Sequence, residues 1–188
     1  MVLKERIARF RLNYCRQSLN YPEAANINQN IRLVESNPEW EKMYETEVDR
    51  LAKVFDVALG FHHVGSTAIP GILAKPIIDI LAEVVEVSEV DEYNGELEQL
   101  GYRALGENGI PGRRYFEKGS IRHTHHLHVF ATGRDEVSRH LNFRDYLRAH
   151  PRQAREYSEL KKQLARKYKS DRESYTEGKS DFIRKIET

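Results

Sequence analysis

The chain has 188 residues, of which 39% are hydrophobic and 31% are charged. This size and composition suit one globular domain with its own core and exclude a low-complexity protein. The net charge of +1 offers no overall attraction for nucleic acid or an anionic membrane. The single cysteine, Cys15, excludes an intrachain disulfide and a zinc site built from several cysteines.

Two further patterns bear on location. No apolar run approaches the length of a bilayer span, because charged residues interrupt each one within a few positions. The basic N-terminus lacks the apolar core and the cleavage pattern of a signal peptide. We therefore expect a cytoplasmic protein.

Residues 1–30 are predicted to form an N-terminal extension, followed by one domain over residues 31–188. Apolar residues recur at spacings of three and four between residues 3 and 14, which favours a short amphipathic helix. The polar run at residues 26–30 is typical of a linker. A docking arm, a disordered leader and an extension with little structure all remain open.

The rest of the chain predicts an α+β fold with a mixed sheet and a helical C-terminal part. Asn37 and Pro38 are typical of a helix start, and apolar spacing carries this helix to about residue 55. Predicted strands cover residues 57–64, 76–85, 102–105, 113–117 and 122–130, and another helix covers residues 88–101. From residue 134 the pattern is helical, with breaks at Pro151 and near Asp171.

The most informative segment is residues 63–80, HVGSTAIPGILAKPIIDI. It predicts a strand end, a tight turn at Gly65 and Ser66, a lone Lys75, and a second strand that carries Asp79. A glycine lets the backbone approach a bound group, and the serine adds a hydroxyl beside the free amides. Such a turn is suited to phosphate, and a carboxylate on the next strand is suited to a cation.

This segment also resembles the GrpB (UPF0157) family, and the resemblance extends well beyond it. HVGSTAIPG and AKPIIDI are followed by THHLHVF, FRDYLRAHP, YSELKKQLA and YTEGKSDFI, so the similarity runs from about residue 31 to residue 187. The family belongs to the nucleotidyltransferase fold, and some relatives are fused to dephospho-CoA kinase. The resemblance therefore implies a nucleotidyltransferase-like sheet flanked by helices.

The resemblance further implies roles for the residues of this segment. Gly65, Ser66 and Thr67 would cradle phosphates, with Lys75 beside them, and Asp79 would be the catalytic, metal-binding acid. Active members of the fold usually carry a second acid two residues later, where this chain has Leu81. The arrangement for two metal ions is therefore incomplete on this strand. The alternative for Asp79 is a structural carboxylate that stabilises the turn.

Histidines supply a further set of candidate metal ligands. On a strand, His126 and His128 point to one face, and imidazoles two residues apart can converge on one ion. One of them could take the place of the missing acid, or both could simply form hydrogen bonds in a polar cleft. His125 points to the opposite face and is expected to be structural.

Two cations occupy apolar stripes of the C-terminal helices. Arg144 falls in one stripe and Lys161 in the next, and charges are rarely buried without a partner or a ligand. They would either form internal ion pairs, for which Asp145 or Glu159 is nearby, or reach phosphates at the Gly-Ser turn. Lys75, Arg144 and Lys161 are therefore candidate phosphate-binding residues.

The combined expectation is a nucleotidyltransferase-like protein that binds a nucleotide phosphate with a divalent metal ion. Magnesium or manganese is expected first and zinc next. Nucleotidyl transfer to an acceptor would follow, although Leu81 leaves catalysis uncertain. The alternative is a non-catalytic module that binds a nucleotide or a coenzyme A precursor. The partner is thus a nucleotide or another phosphate-bearing small molecule, with neither a membrane nor nucleic acid expected.

Overall fold

A computed structural model describes residues 30–120 and 122–187 of the chain, the last of these for its backbone only. The helix predicted between residues 3 and 14 lies outside the described residues, as does the predicted linker apart from Asn30. The extension therefore stays a prediction.

Five strands form one mixed sheet, as the sequence predicts. They are β1 (Ala58–Val64), β2 (Ile78–Val84), β3 (Tyr102–Ala104), β4 (Arg113–Lys118) and β5 (His125–Ala131). Their order is β1-β2-β5-β4-β3. The central pair β2 and β5 runs parallel, and every other neighbouring pair runs antiparallel. The two strands that carry Asp79 and the histidines are therefore adjacent.

Helices cover the sheet and build the C-terminal part, giving an α+β fold. They are α1 (Glu39–Leu51), α2 (Asn94–Gln99), α3 (Asp135–Ala149), α4 (Pro151–Tyr168), α5 (Arg172–Glu177) and α6 (Ser180–Glu187). None of the helices in the described part of the chain combines the length and the apolar character that a membrane span requires.

One predicted helix differs from the observed structure. The segment expected to be a single helix over residues 88–101 is a 3-10 helix, Val87–Tyr93, followed by the short α2. Val87, Val90 and Tyr93 are three residues apart and all pack on the main core. That spacing fits the three-residue turn of a 3-10 helix better than an α-helix.

The main core lies on one face of the sheet. There Ile78 and Ile80 of β2 and Leu127 of β5 pack with Trp40 and Leu51 of α1. The opposite face carries the polar residues of the same two strands, together with a smaller apolar group. The alternation of side chains along a strand explains why one strand serves both faces.

The helical tail packs over the segment between β1 and β2. Ile69 and Ile72 of that segment are buried against Leu147 of α3 and against Ala154 and Tyr157 of α4. The fold thus places the Gly-Ser motif between the polar face of the sheet and the C-terminal helices.

Candidate functional site

The site begins with a turn that lies directly against Asp79. Val64, the last residue of β1, pairs with Asp79 of β2, and Gly65 then turns the chain into a 3-10 helix, Ser66–Ala68. Gly65 has a φ of 71° and a ψ of −169°, a region open essentially to glycine. A Cβ there would lie 2.3 Å from Oδ2 of Asp79, so no side chain fits between the turn and the carboxylate.

Asp79 meets both predicted histidines on one face of the sheet. The β2–β5 register places Asp79 opposite His126 and Leu81 opposite His128. Nδ1 of His126 lies 3.0 Å from Oδ1 of Asp79, and Nε2 of His128 lies 3.8 Å from the same oxygen. The three ligand atoms lie within 4.8 Å of one another. These residues could therefore hold a divalent metal ion.

The electrostatics keep Asp79 charged. Burial alone would raise the pKa of the Asp79 carboxyl, but the hydrogen bond with His126 and the nearby ring of His128 outweigh it and hold that pKa below its usual range. Burial lowers the pKa of His128, although Asp79 opposes the shift. At neutral pH the group therefore pairs a carboxylate with a neutral His128 imidazole.

The position of the missing second acid is part of the core. Leu81 has no exposed surface and packs with Val64, Phe130 and Val137 of α3 beneath the polar residues. Glu83, farther along β2, accepts hydrogen bonds from His62 and Thr132. Around position 81 the site face is thus an apolar floor, because α3 packs on it.

Thr67 is part of the scaffold that holds the turn. Its hydroxyl donates to the carbonyl oxygen of Ile77 at 3.3 Å and lies 3.1 Å from Nε2 of the buried His63. The other ring nitrogen of His63 lies 3.1 Å from Glu41, and its ring stacks on Tyr44. Thr67, expected at the phosphates, is therefore engaged within the protein.

Lys161 reaches the turn from α4. Although 98% of its surface is buried, its ammonium group donates to the Ser66 hydroxyl at 2.9 Å and to the carbonyl oxygen of Leu73. The ammonium also lies 4.7 Å from the centre of the Tyr157 ring. Burial, with a smaller effect from Lys179, lowers the pKa of Lys161 to about 7.

Lys75 and Lys179 join Lys161 to form what we call the lysine cluster. The ammonium groups of Lys179 and Lys75 lie 4.8 Å and 6.0 Å from the centre of the Tyr175 ring. Burial and then Lys75 lower the pKa of Lys179 to about 8, and burial lowers that of Lys75. The charge of Asp79 opposes both shifts, so the carboxylate lies within electrostatic reach of the cluster.

No carboxylate of the described residues forms an ion pair with a member of the lysine cluster. Buried cations in proteins are usually paired, because removing a charge from water is costly. The positive charge of the lysine cluster is therefore not balanced by an ion pair within the described residues. Lys75 and Lys161 were among the candidate phosphate-binding residues of the sequence analysis, whereas Lys179 was not.

Arg144 is already occupied in this arrangement. Its guanidinium makes two hydrogen bonds with Asp145, at 2.7 and 3.1 Å, and a third to the carbonyl oxygen of His63. The ion pair with Asp145, one of the two alternatives for Arg144, is therefore the one observed. Arg144 supports the end of β1 and has its charge balanced.

Arg113 is a site residue that sequence reasoning missed. Its side chain is 94% buried and lies 3.3 Å from Nδ1 of His128. It also donates to the carbonyl oxygens of Glu107 and Asn108. The only sequence signal was alternation along β4, which places Arg113 and Tyr115 on the side of His128. Without the strand register, this alternation does not show that the two residues lie beside His128.

Comparison with known proteins identifies the family of the chain. The family model of GrpB protein matches residues 30–188. The chain belongs to the GrpB family.

Individual relatives extend this assignment. The chain is 44% identical to UPF0157 protein YqkA of Bacillus subtilis over 84% of its own length, and spans about half (46%) of that longer protein. It is 39% identical to glutamate-rich protein GrpB of Alkalihalophilus pseudofirmus, over 83% of this chain and 93% of that one. The crystal structure of conserved protein GrpB from Enterococcus faecalis superposes with a TM-score of 0.79 and 42% identity, covering 83% and 94% of the two chains.

Two more distant similarities complete the comparison. A dephospho-CoA kinase of Mycolicibacterium paratuberculosis is 39% identical over 79 residues, which are 40% of this chain and 19% of that protein. A structure of Cid1 in complex with the UTP analogue UMPNPP aligns over 70% of this chain with a TM-score of 0.48 and 13% identity. This last likeness is too distant to bear on activity.

Proposed function

We propose that this GrpB-family chain binds a nucleotide through its phosphates, together with a divalent metal ion at Asp79. The observation that carries the proposal is the lysine cluster, in which three buried or half-buried ammonium groups lack a carboxylate partner among the described residues. An anion of two or three negative charges would balance them. Polyphosphate is the biological anion that matches this charge and adds several acceptor oxygens.

The turn complements the cluster. Ser66 carries the hydroxyl that already accepts a hydrogen bond from Lys161, and Gly65 brings the backbone close without a side chain. A phosphate oxygen beside Ser66 would then meet Lys161 and the backbone of the turn together. Lys75 and Lys179 would neutralise the remaining charge from the side of Tyr175.

The residues around Asp79 fit a divalent ion. Asp79, His126 and His128 offer one carboxylate oxygen and two imidazole nitrogens, a donor set that suits manganese or zinc better than magnesium. When bound, such an ion would draw phosphate oxygens toward Asp79 and withdraw electron density from the phosphorus. An ion bound at this site would displace the hydrogen bond between His126 and Asp79, which costs free energy. Phosphate oxygens that complete the coordination of the ion would offset this cost, so the ion should bind more tightly when phosphate is present.

Nucleotidyl transfer to an acceptor is the reaction that such an arrangement would support. A non-catalytic module for a nucleotide or a coenzyme A precursor is the second candidate, and one observation favours it. Leu81 is fully buried in an apolar group, so the face that would carry a second metal-binding acid is closed. Binding is common to both candidates, and turnover separates them.

Titration calorimetry with the full chain tests the proposal. Adenosine and uridine triphosphates, inorganic triphosphate and dephospho-CoA are titrated with and without manganese. We expect at least one nucleotide to bind and manganese to tighten its binding. If none of these ligands binds under either condition, the proposal is wrong.

Two lysines of α4 supply a matched pair for this experiment. Lys161→Met should weaken phosphate binding by about tenfold to a hundredfold, the value of one charge-assisted hydrogen bond. Lys162→Met removes the same charge from the exposed side of the helix, where Lys162 lies 3.6 Å from Glu159, and should leave the affinity unchanged. Equal effects of the two variants would indicate nonspecific charge attraction and contradict the assignment.

A further inference from the structure

His126 has a second ring nitrogen that its contact with Asp79 does not use. Nδ1 faces Asp79, while Nε2 is buried and has no hydrogen-bond partner among the described residues. A buried polar atom without a partner costs free energy, and such atoms in folded proteins commonly face a missing water, ion or ligand. The surroundings of Nε2 therefore show what this nitrogen is placed to bind.

Glu117 lies across β5 from Asp79, because β5 runs between β2, which carries Asp79, and β4, which carries Glu117. Glu117 of β4 pairs directly with His126 of β5, and His123 lies in the loop that leads into β5. Nε2 of His123 is 3.5 Å from Oε2 of Glu117, and the His123 and His126 rings are 5.8 Å apart at 70°. One ligand atom from each of the three residues lies within 4.8 Å of the others.

We propose that Glu117, His123 and His126 form a second divalent cation site that binds zinc. Two imidazole nitrogens and one carboxylate oxygen make a three-residue zinc site with its fourth position open to water or a ligand. In this site Asp79 is a positioning residue rather than a ligand.

The contact between Asp79 and His126 prepares this geometry. Because Asp79 is ionised, Nδ1 of His126 donates its proton to the carboxylate, which leaves the lone pair of the neutral ring on Nε2. A carboxylate that holds the outer nitrogen of a metal-bound histidine is a recurrent arrangement, since it fixes both the tautomer and the ring orientation. In that tautomer Nε2 is the ring nitrogen available to bind a cation.

Glu117 is also held in place from behind. The hydroxyl of Tyr115 donates to Oε1 of Glu117 at 3.3 Å, and the guanidinium of Arg103 donates to Oε2 at 3.0 Å. Arg103 is 57% exposed, so it can turn toward solvent and release Oε2 to an ion at little cost. Tyr115 would keep the carboxylate oriented while this happens.

This site is separate from the ion site of the proposed function, although both use His126. A neutral imidazole has one lone pair, so His126 can serve only one of the two ions at a time. An ion bound through Nε2 leaves Asp79 and His128 for the ion that accompanies phosphate. The zinc site needs no nucleotide, so it stands or fails independently of nucleotide binding.

Zinc titration of the metal-free, full-length protein tests the proposal without any nucleotide. We expect one tight zinc equivalent, and about a tenfold or greater loss of affinity in both Glu117→Gln and His123→Gln. His128→Gln should retain the parent affinity, because His128 belongs only to the Asp79 group. Cobalt in place of zinc should give the strong visible absorption of a four-coordinate ion, lost in the same two variants.

The role of Asp79 has its own readout. Asp79→Asn keeps an oxygen that can accept the Nδ1 proton, so it should weaken zinc binding less than Asp79→Ala, for which a loss of about tenfold to a hundredfold is expected. Circular dichroism and the melting temperature check that each variant is folded. Because His123 lies in a loop, His123→Gln is the variant expected to disturb the fold least.

Three results would overturn the inference: no zinc bound by the parent, parent-like affinity in folded His123→Gln, or loss of zinc in His128→Gln with retention in Glu117→Gln. The last result would place the ion in the Asp79 group instead.

Discussion

The ammonium group of Lys161 donates a hydrogen bond to the hydroxyl of Ser66 across 95 residues of sequence. This contact joins α4 to the turn between β1 and β2, and it brings a buried positive charge to the backbone of the Gly-Ser motif. The helical C-terminal part is therefore part of the candidate site as well as a cover for the sheet. Its packing sets where the charge lies.

The first prediction concerns pH. The pKa of Lys161 is lowered to about 7 and that of Lys179 to about 8, so both lose their protons as pH rises from 6.5 to 9. An anion binds the protonated forms, so triphosphate affinity should fall by about tenfold or more across this range. Calorimetry in two buffers of different ionisation enthalpy should show proton uptake on binding at pH 8.

Lys161→Met is the control for this profile. The variant should show a shallower fall in affinity and less proton uptake, because one group of the lysine cluster that titrates in this range has been removed. An affinity independent of pH between 7 and 9 in the parent would contradict the role of the lysine cluster.

The second prediction concerns the turn. Gly65→Ala should destabilise the protein by about 1–3 kcal/mol for the backbone, plus the cost of displacing the Asp79 carboxylate. Gly71→Ala is the matched control, because Gly71 has a φ of +74° with no atom within 4 Å of an added Cβ. The difference between the two variants in urea unfolding measures the contact with Asp79. Equal losses of stability would show that a Cβ at position 65 does not displace the Asp79 carboxylate.

The third prediction concerns the missing acid. Leu81→Asp should lower the free energy of unfolding by about 3–5 kcal/mol, because it buries a charge among Val64, Phe130 and Val137. Leu81→Asn introduces a side chain of about the same size as aspartate but without its charge, so it separates the effect of charge from that of polarity. If manganese raises the melting temperature of Leu81→Asp and not of Leu81→Asn, the scaffold accepts a second metal-binding acid. Unchanged stability of Leu81→Asp would contradict the burial of position 81 among apolar residues.

The fourth prediction separates the ion from the phosphates. Asp79→Ala should abolish the gain in nucleotide affinity that manganese gives, while the metal-independent affinity of the lysine cluster persists. The fold should be retained, as checked by the melting temperature and circular dichroism. An unfolded Asp79→Ala, with no ligand bound by the parent, would make the carboxylate purely structural.

Local patterns predicted the elements well, because each depends on neighbours in sequence. Asn37 supplies the acceptor for the backbone N–H of Glu39 at the start of α1, and Pro151 begins α4 as expected. Alternation correctly placed His126 and His128 on one face of β5, because side chains two residues apart share a face. The register of β2 against β5 then brings Asp79 to that face. Alternation also correctly assigned His125 to the other face.

These local patterns did not predict which charged residues form ion pairs. Helical periodicity set Arg144 and Lys161 in comparable apolar stripes, yet Arg144 pairs with the adjacent Asp145 and Lys161 lacks any carboxylate partner among the described residues. Periodicity fixes a direction from a helix axis, whereas a partner depends on what the opposing element brings to that point. The contacts of Lys179 and Arg113 likewise depend on the elements packed against them, so local patterns could not predict them.

By itself, the sequence determined the mixed α+β fold, the glycine turn next to an acid-bearing strand, and the face shared by His126 and His128. These follow from backbone conformation and side-chain alternation, which act over a few residues. Only the tertiary structure decided that Leu81 closes the second acid position, that Asp79 meets the two histidines, and that His126 lies near Glu117 and His123. It also decided that Lys75, Lys161 and Lys179 have no carboxylate partner among the described residues. Each of these depends on strand register and helix packing, which bring distant segments together and so set burial and charge balance.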